Sequence, residues 1–176
     1  MKTKEHKWMR KIQRGNRRAF KQLFDRYSDY AHRTAYAITK NQHDAADVVQ
    51  ETFIKVYRYA HTFDQNKSFR PWFYRILVNE AKRLFQKLSK DPIQVETDKL
   101  EHYYSPEILP DFEYLDQAMD QLNDHERVIL VLKYVQLFTE KEIADILELK
   151  VNTVKSRLYR ARQKLKSIMG GIDHVE

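Results

Sequence analysis

Apolar residues recur at steps of three and four along nearly the whole chain, and the recurrence fails over one long stretch, from Ser89 to about Asp111. Such spacing puts the apolar residues on one side of an α-helix, because each residue advances by about 100°. Strands would instead alternate at every second residue. The longest run is Phe20, Leu23, Phe24, Tyr27, Ala31, Ala35 and Ile38, entered through Asn16 as an N-cap and ending near Lys40-Asn41. Trp8, Met9 and Ile12 form a shorter helix before it, stopped by Gly15. Val48, Val49, Phe53, Val56 and Tyr57 mark a third helix from about Asp44 to Tyr59. After a broken, polar stretch from His61 to Phe69, Pro71 suits the first turn of a fourth helix. Trp72, Phe73, Ile76, Leu77, Ala81, Leu84 and Phe85 carry that helix to about Leu88. Only three glycines and four prolines occur in 176 residues, which suits long helices and short connections and argues against a many-stranded sandwich.

The interruption has its own chemistry. Pro92, Pro106 and Pro110 oppose regular helix. Asp91, Glu96, Asp98, Glu101, Glu107 and Asp111 are opposed only by Lys90 and Lys99. Residues 89–111 therefore read as an acidic, flexible linker whose charge keeps it solvated. It separates a first helical unit, residues 1–88, from a second, residues 112–171. In the second unit Tyr114, Leu115, Met119 and Leu122 make one helix. Val128, Ile129, Leu130, Leu132, Tyr134 and Val135 make another that is apolar nearly all round and so expected to be buried. The expected fold is all-α, as two small helical domains.

The end of the second unit points to a partner. Thr139 and Glu142 have capping-box spacing, followed by Glu142-Ile-Ala-Asp-Ile-Leu147, a short break, and Thr153-Val-Lys-Ser-Arg-Leu-Tyr-Arg-Ala-Arg162. This is helix–turn–helix spacing. On the second helix Val154, Leu158, Ala161, Leu165 and Ile168 share one face, and Thr153, Ser156, Arg157, Arg160 and Lys164 share another, with no acidic residue from Leu149 to Ile172. A helix that packs by one face and offers hydroxyls and cations on the other suits the DNA major groove. The formal net charge of +7 agrees with a polyanionic partner. The cations do not lie opposite a bulky apolar face, as a membrane-surface helix requires. There is no cysteine, which excludes disulfides and thiolate metal sites. No apolar run follows the N-terminus and none approaches the roughly 20 residues of a membrane span, so a cytoplasmic chain without direct membrane insertion is expected.

Two further constellations stand in the first unit. Asp44, Asp47 and Glu51 fall on one helical side beside Gln50. Such a row suits a solvated face, a metal site or acid–base work, and the nearest histidines are His43 and His61. Lys67, Phe69, Arg70, Trp72, Arg75, Asn79, Lys82 and Arg83 combine cations with aromatics, the mixture that holds single-stranded DNA. Phe73, Ile76 and Leu77 are expected in the core, with Trp72 divided between core and surface.

The block Glu142–Leu165 closely resembles region 4 of bacterial sigma factors, through its EIA, turn and TVKSRL-RAR string. Asp44-Ala-Ala-Asp-Val-Val-Gln-Glu-Thr-Phe53 resembles the region 2 helix that binds RNA polymerase, and Phe69-Arg-Pro-Trp-Phe-Tyr-Arg-Ile-Leu-Val-Asn79 the segment that engages the minus-10 element. Their order is similar to that of the extracytoplasmic-function group, with no further promoter-binding domain between them. The resemblance implies a promoter-specific initiation factor that is not itself an enzyme and needs no cofactor or metal. Its partners would be core RNA polymerase, through the β′ clamp helices and the β flap, promoter DNA, and an anti-sigma factor. Asp47, Gln50 and Glu51 would face the clamp helices. The segment from Lys67 to Arg83 would engage the minus-10 element, with the loop His61–Phe69 capturing a flipped base and Lys82 and Arg83 on phosphates. Ser156 and Arg160 would face minus-35 bases, Lys155, Arg157, Arg162 and Lys164 phosphates, and Thr153 would cap the helix or touch phosphate.

The chain departs from the family in the turn Glu148-Leu-Lys-Val-Asn152, where glycines are usual. Glu148 would be strained where positive φ is required, and Asn152 tolerates that region better. Two rival readings remain. One is a repressor or activator with its own sensing domain, binding duplex DNA as a dimer. The other is a helical metal-dependent hydrolase using Asp44, Asp47 and Glu51 with a histidine.

Overall fold

The computed structural model describes residues 3–90 and 110–172. Four helices form the first unit: α1 (Lys4–Ile12), α2 (Arg17–Thr39), α3 (Gln42–Arg58) and α4 (Phe69–Lys90), with a short 3₁₀ turn at Ala60–Thr62. Four more form the second: α5 (Pro110–Asp120), α6 (Asp124–Leu130), α7 (Glu140–Leu147) and α8 (Val151–Ile172), with a π turn, Val131–Val135, continuing α6. Among the described residues every regular element is helical. The stretch expected to be a linker lies outside the described residues at positions 91–109. Its expected ends are corrected. Ser89 and Lys90 close α4, and Pro110 does not oppose a helix but begins α5, where its missing N–H costs nothing.

Helix starts follow local chemistry. The Asn16 side chain accepts from the Ala19 N–H at 2.9 Å, and that of Asn41 from the Asp44 N–H at 3.0 Å. Asn123 with Glu126 and Thr139 with Glu142 form complete capping boxes that start α6 and α7. Each such cap contributes about 1 kcal/mol.

In the first unit α2 packs against α1, α3 and α4; in the second, α8 packs against α5, α6 and α7. Phe73, Leu77, Leu23 and Ile38 are fully buried in the first unit, and Leu132, Ile143 and Val154 in the second. Each such side chain contributes about 1.5–3 kcal/mol through burial. The units also pack together, α4 against α7 and α2 against α6, so that the buried residues form one cluster running from Met9 to Ala161.

Tyr134 and Val135 were expected inside but are 51% and 55% exposed. The π turn places more residues per turn than an α-helix, which swings these side chains out of the α6 stripe. Leu137 then takes a left-handed conformation at φ 57°, leaving it 78% exposed while Gln136 and Phe138 on either side are buried.

Candidate polymerase and nucleic-acid interfaces

α3 displays the carboxylate row. Asp47 and Gln50 are exposed, while Asp44 and Glu51 are half-buried, the Glu51 carboxylate 4.0 Å from the Arg83 guanidinium. Partial burial raises the Asp44 carboxyl above its ordinary range, and the neighbouring Asp47 carboxylate pushes the same way. Among the described residues no three His, Asp or Glu side chains converge as a metal site would need, so the hydrolase reading lacks its constellation. Beside the row runs a feature that sequence reasoning missed, an apolar groove of about 640 Å³ between α2 and α3. Phe20, Phe24, Val49, Gln50, Ile54 and Tyr57 line it, with Phe24, Ile54 and Tyr57 at least 40% exposed. The available signal was excess: more apolar side chains on α2 and α3 than one buried stripe can hold. An exposed apolar surface of this kind marks an interaction site.

α4 carries the mixed cation–aromatic set, and the structure separates its members. Phe69 is 3% exposed and packs against Tyr27, Phe63, Trp72 and Phe73. This corrects its assignment to a DNA surface, because its ring is spent on the core. Phe73 and Leu77 are buried and Trp72 is half-buried, as expected, whereas Ile76, expected in the core, is only half-buried. Trp72, Ile76 and Asn79 line a pocket of about 260 Å³ with Lys55, Tyr59 and Thr62, at the 3₁₀ turn. Glu80, buried at its wall, was not expected there; it binds the Lys55 ammonium and lies 3.3 Å from the Arg83 guanidinium. Lys67 is exposed, and its carbonyl accepts from the His6 ring at 3.0 Å. Arg70 donates to the Gln136 carbonyl at 2.9 Å and lies 4.8 Å over the Phe138 ring. Arg75 donates to the Asp145 carbonyl and faces the Glu148 carboxylate at 3.7 Å. Half-burial holds the Lys82 ammonium below its ordinary range, Glu148 opposing that shift and Arg157 adding to it.

α8 is anchored by Val154, Leu158 and Ala161, all buried, and leaves Lys155, Ser156, Arg157, Arg160 and Lys164 exposed. Ser156 donates to the Thr153 carbonyl at 3.0 Å, and Lys164 pairs with Glu126 at 2.7 Å. Thr153 is the third residue of the helix, which rules out its role as N-cap. Glu148 does take the left-handed conformation, at φ 56°, closing α7 where a glycine would be unstrained. Asn152 does not, being already inside α8.

Comparison with known proteins agrees with this geometry. Residues 23–90 match the family described as Sigma-70 region 2, and residues 112–165 the family described as Sigma-70, region 4. The chain is 31% identical to the ECF RNA polymerase sigma factor SigW of Bacillus subtilis (strain 168), over 91% of this chain and 94% of that protein. It belongs to the sigma-70 family, in the extracytoplasmic-function (ECF) group. It is likewise 31% identical to the ECF RNA polymerase sigma-E factor of Escherichia coli (strain K12), with 88% of each chain covered. The fold is shared with CnrH, solved in complex with the cytosolic domain of CnrY, at a TM-score of 0.74 and 25% identity over 96% of this chain and 99% of that one. It is shared too with the sigma factor RpoE of Bartonella quintana, solved with the anti-sigma factor NepR, at a TM-score of 0.73 and 23% identity over 86% of this chain and 96% of that one. As a sigma factor, this chain binds core RNA polymerase and promoter DNA and directs promoter-specific initiation. No helix among the described residues is long and apolar enough to cross a membrane.

Proposed function

We propose that three surfaces of this ECF sigma factor divide the work of initiation. The α3 row of Asp47, Gln50 and Glu51, with the apolar groove beside it, receives a basic amphipathic helix of the polymerase β′ clamp. Two physical properties support this: carboxylates complement a basic partner, and the groove takes that partner's apolar face. Arg70, Trp72, Arg75, Asn79, Lys82 and Arg83, with Lys67 at the loop, engage the minus-10 element. The pocket at Trp72 and Asn79 is large enough for one extruded base, stacked on an aromatic ring. Capture of that base favours melted over duplex DNA, so binding energy opens the promoter. Ser156 and Arg160 read minus-35 bases, while Lys155, Arg157, Lys164 and Thr153 meet phosphates, which position without specifying. Lys164 must first leave Glu126. The bond-making chemistry belongs to the polymerase, and the factor acts with it in the cytoplasm, using no cofactor. A partner of the anti-sigma kind, as RpoE has in its solved complex with NepR, fits a chain with so exposed a groove. The β flap is the expected second polymerase contact, through region 4.

The observation that carries this reading is α8 itself, with one face locked in the core and a hydroxyl–cation face left open inside a region 4 match. The test is run-off transcription with sigma-free core polymerase on a library of promoter fragments. A specific start site that disappears with Asp47→Lys and Glu51→Lys supports the assignment. Undiminished transcription by the double variant removes α3 from the polymerase contact. Footprinting of duplex DNA by the chain alone, without stimulation of polymerase, favours the repressor reading.

A further inference from the structure

Helix α1 lies outside the surfaces assigned to polymerase and promoter, yet its polar side chains bind the loop that joins the 3₁₀ turn to α4. The His6 ring is 8% exposed, with Nε2 3.0 Å from the Lys67 carbonyl oxygen and Nδ1 2.9 Å from the Thr3 hydroxyl. A carbonyl only accepts, so Nε2 carries the proton and Nδ1 accepts from Thr3. Thr3 stands at the N-cap position of α1 but makes no capping bond; its hydroxyl is given to the histidine instead. At the other end of α1, the Gln13 side-chain amide donates to the Ala60 carbonyl at 2.9 Å and to the Phe63 carbonyl at 3.3 Å.

The loop has little else to order it. Asp64, Asn66 and Lys67 are exposed, and the loop's own bonds are local: the Lys67 N–H to the Asp64 carbonyl at 3.0 Å and the Asn66 N–H to the Asp64 carboxylate at 2.9 Å. Among the described residues, the hydrogen bonds that reach positions 60–67 from beyond Tyr59 come from His6 and Gln13. Two of the three carbonyls they hold lie on either side of Thr62, which lines the pocket with Tyr59, Trp72 and Asn79. α1 thus fixes the wall of the pocket that faces α4. A polar loop left free must be ordered when a base is captured, and the cost of that ordering is subtracted from binding.

We propose that His6 and Gln13 are positioning residues for promoter melting, which hold the segment from Ala60 to Lys67 in its base-receiving shape before DNA arrives. The use of the pocket for an extruded base rests on the proposed function; the bracing itself rests on the hydrogen bonds. Neither residue meets the base, and both act through backbone carbonyls of the loop.

The test uses holoenzyme and single-stranded minus-10 oligonucleotides, each with an abasic site at one position. For the wild-type chain, removing the captured base should weaken binding by roughly ten- to a hundredfold. Gln13 is exposed, so Gln13→Met removes the donor without risk to folding. It should weaken the intact oligonucleotide by roughly three- to tenfold. The oligonucleotide lacking the captured base should bind as before, because it never requires the ordered loop, so the ratio between the two shrinks by the same factor. His6→Leu should act alike, and His6→Gln, whose amide can donate where Nε2 stands, should restore most of the ratio. Affinity for core polymerase should not change. A ratio that keeps its wild-type value in Gln13→Met and His6→Leu overturns the brace. So does equal weakening of intact and abasic oligonucleotides, which makes α1 a stability element only. If His6→Leu fails to fold, Gln13→Met alone decides. Absence of any sensitive position for the wild-type chain overturns base capture itself, and the bracing role falls with it.

Discussion

Among the described residues three non-glycines sit in left-handed conformations: Lys40, Leu137 and Glu148. Each costs about 1–2 kcal/mol relative to an unstrained backbone, so each needs a compensating contact. Lys40 has two carboxylates. Glu148 has Arg75 at 3.7 Å, but that pair is well exposed and contributes little. Leu137, 78% exposed, has no visible compensation. Leu137→Gly should therefore raise stability by about 1 kcal/mol after the entropy of the freer unfolded chain is subtracted. Denaturant titration reads this as a higher midpoint at unchanged slope, and a lower midpoint would show that the leucine contributes packing. A second residue-level prediction concerns Asp44, whose carboxyl is raised first by burial and then by Asp47. A folded-state pKa above the unfolded one means that protonated Asp44 favours folding below the carboxylate range, and that this advantage is lost as pH rises through the folded pKa. Asp47→Asn should lower the Asp44 pKa and shrink that loss. A carbon-detected NMR titration that finds Asp44 unmoved would remove Asp47 from its environment.

At the scale of elements, most of the fold was legible because helix-forming information is local. The three- and four-residue steps located the helices, and Asn16 and the Thr139–Glu142 pair marked the starts of α2 and α7; the caps at Asn41 and Asn123 were not read, and α3 begins at Gln42, two residues before the expected Asp44. What failed was what depends on distant partners or unusual geometry. Phe69 reads as a surface aromatic until Tyr27, Phe63 and Phe73 enclose it. Tyr134 and Val135 read as core until a π turn rotates them outward. The α2–α3 groove needs two helices to exist, and the pairing of Arg70 with Gln136 spans 66 positions. Helix α8 was the most legible site element, since both its faces are written in one segment. Its two kinds of side chain should separate by measurement. Arg160→Ala should relax preference at one minus-35 position, by about 1–3 kcal/mol if the contact is bidentate. Lys155→Ala should weaken all promoters alike and reduce the salt slope of holoenzyme binding by about 1. Equal loss across sequences for both variants would reassign Arg160 to phosphate.

For the whole molecule, recognition is divided between two units whose separation on DNA neither unit sets alone. Arg70 donates to Gln136 and Arg75 to Asp145, so use of these two side chains on the minus-10 element requires those contacts to part. Polymerase must then fix the distance between the two units, and the second contact gains from the first through effective concentration. The free chain should accordingly bind duplex promoter DNA weakly, and tight sequence-specific binding should require core polymerase. The same geometry makes the spacing of the two elements rigid in phase as well as length. Inserting five base pairs between the minus-35 and minus-10 elements moves one of them to the opposite side of the helix, because a turn is about 10–10.5 base pairs. Run-off transcription from such a template should fall to the level given by the minus-10 element alone. If transcription survives the insertion unchanged, region 4 contributes no minus-35 reading on that promoter, and α8 must be reassigned to sequence-independent attraction.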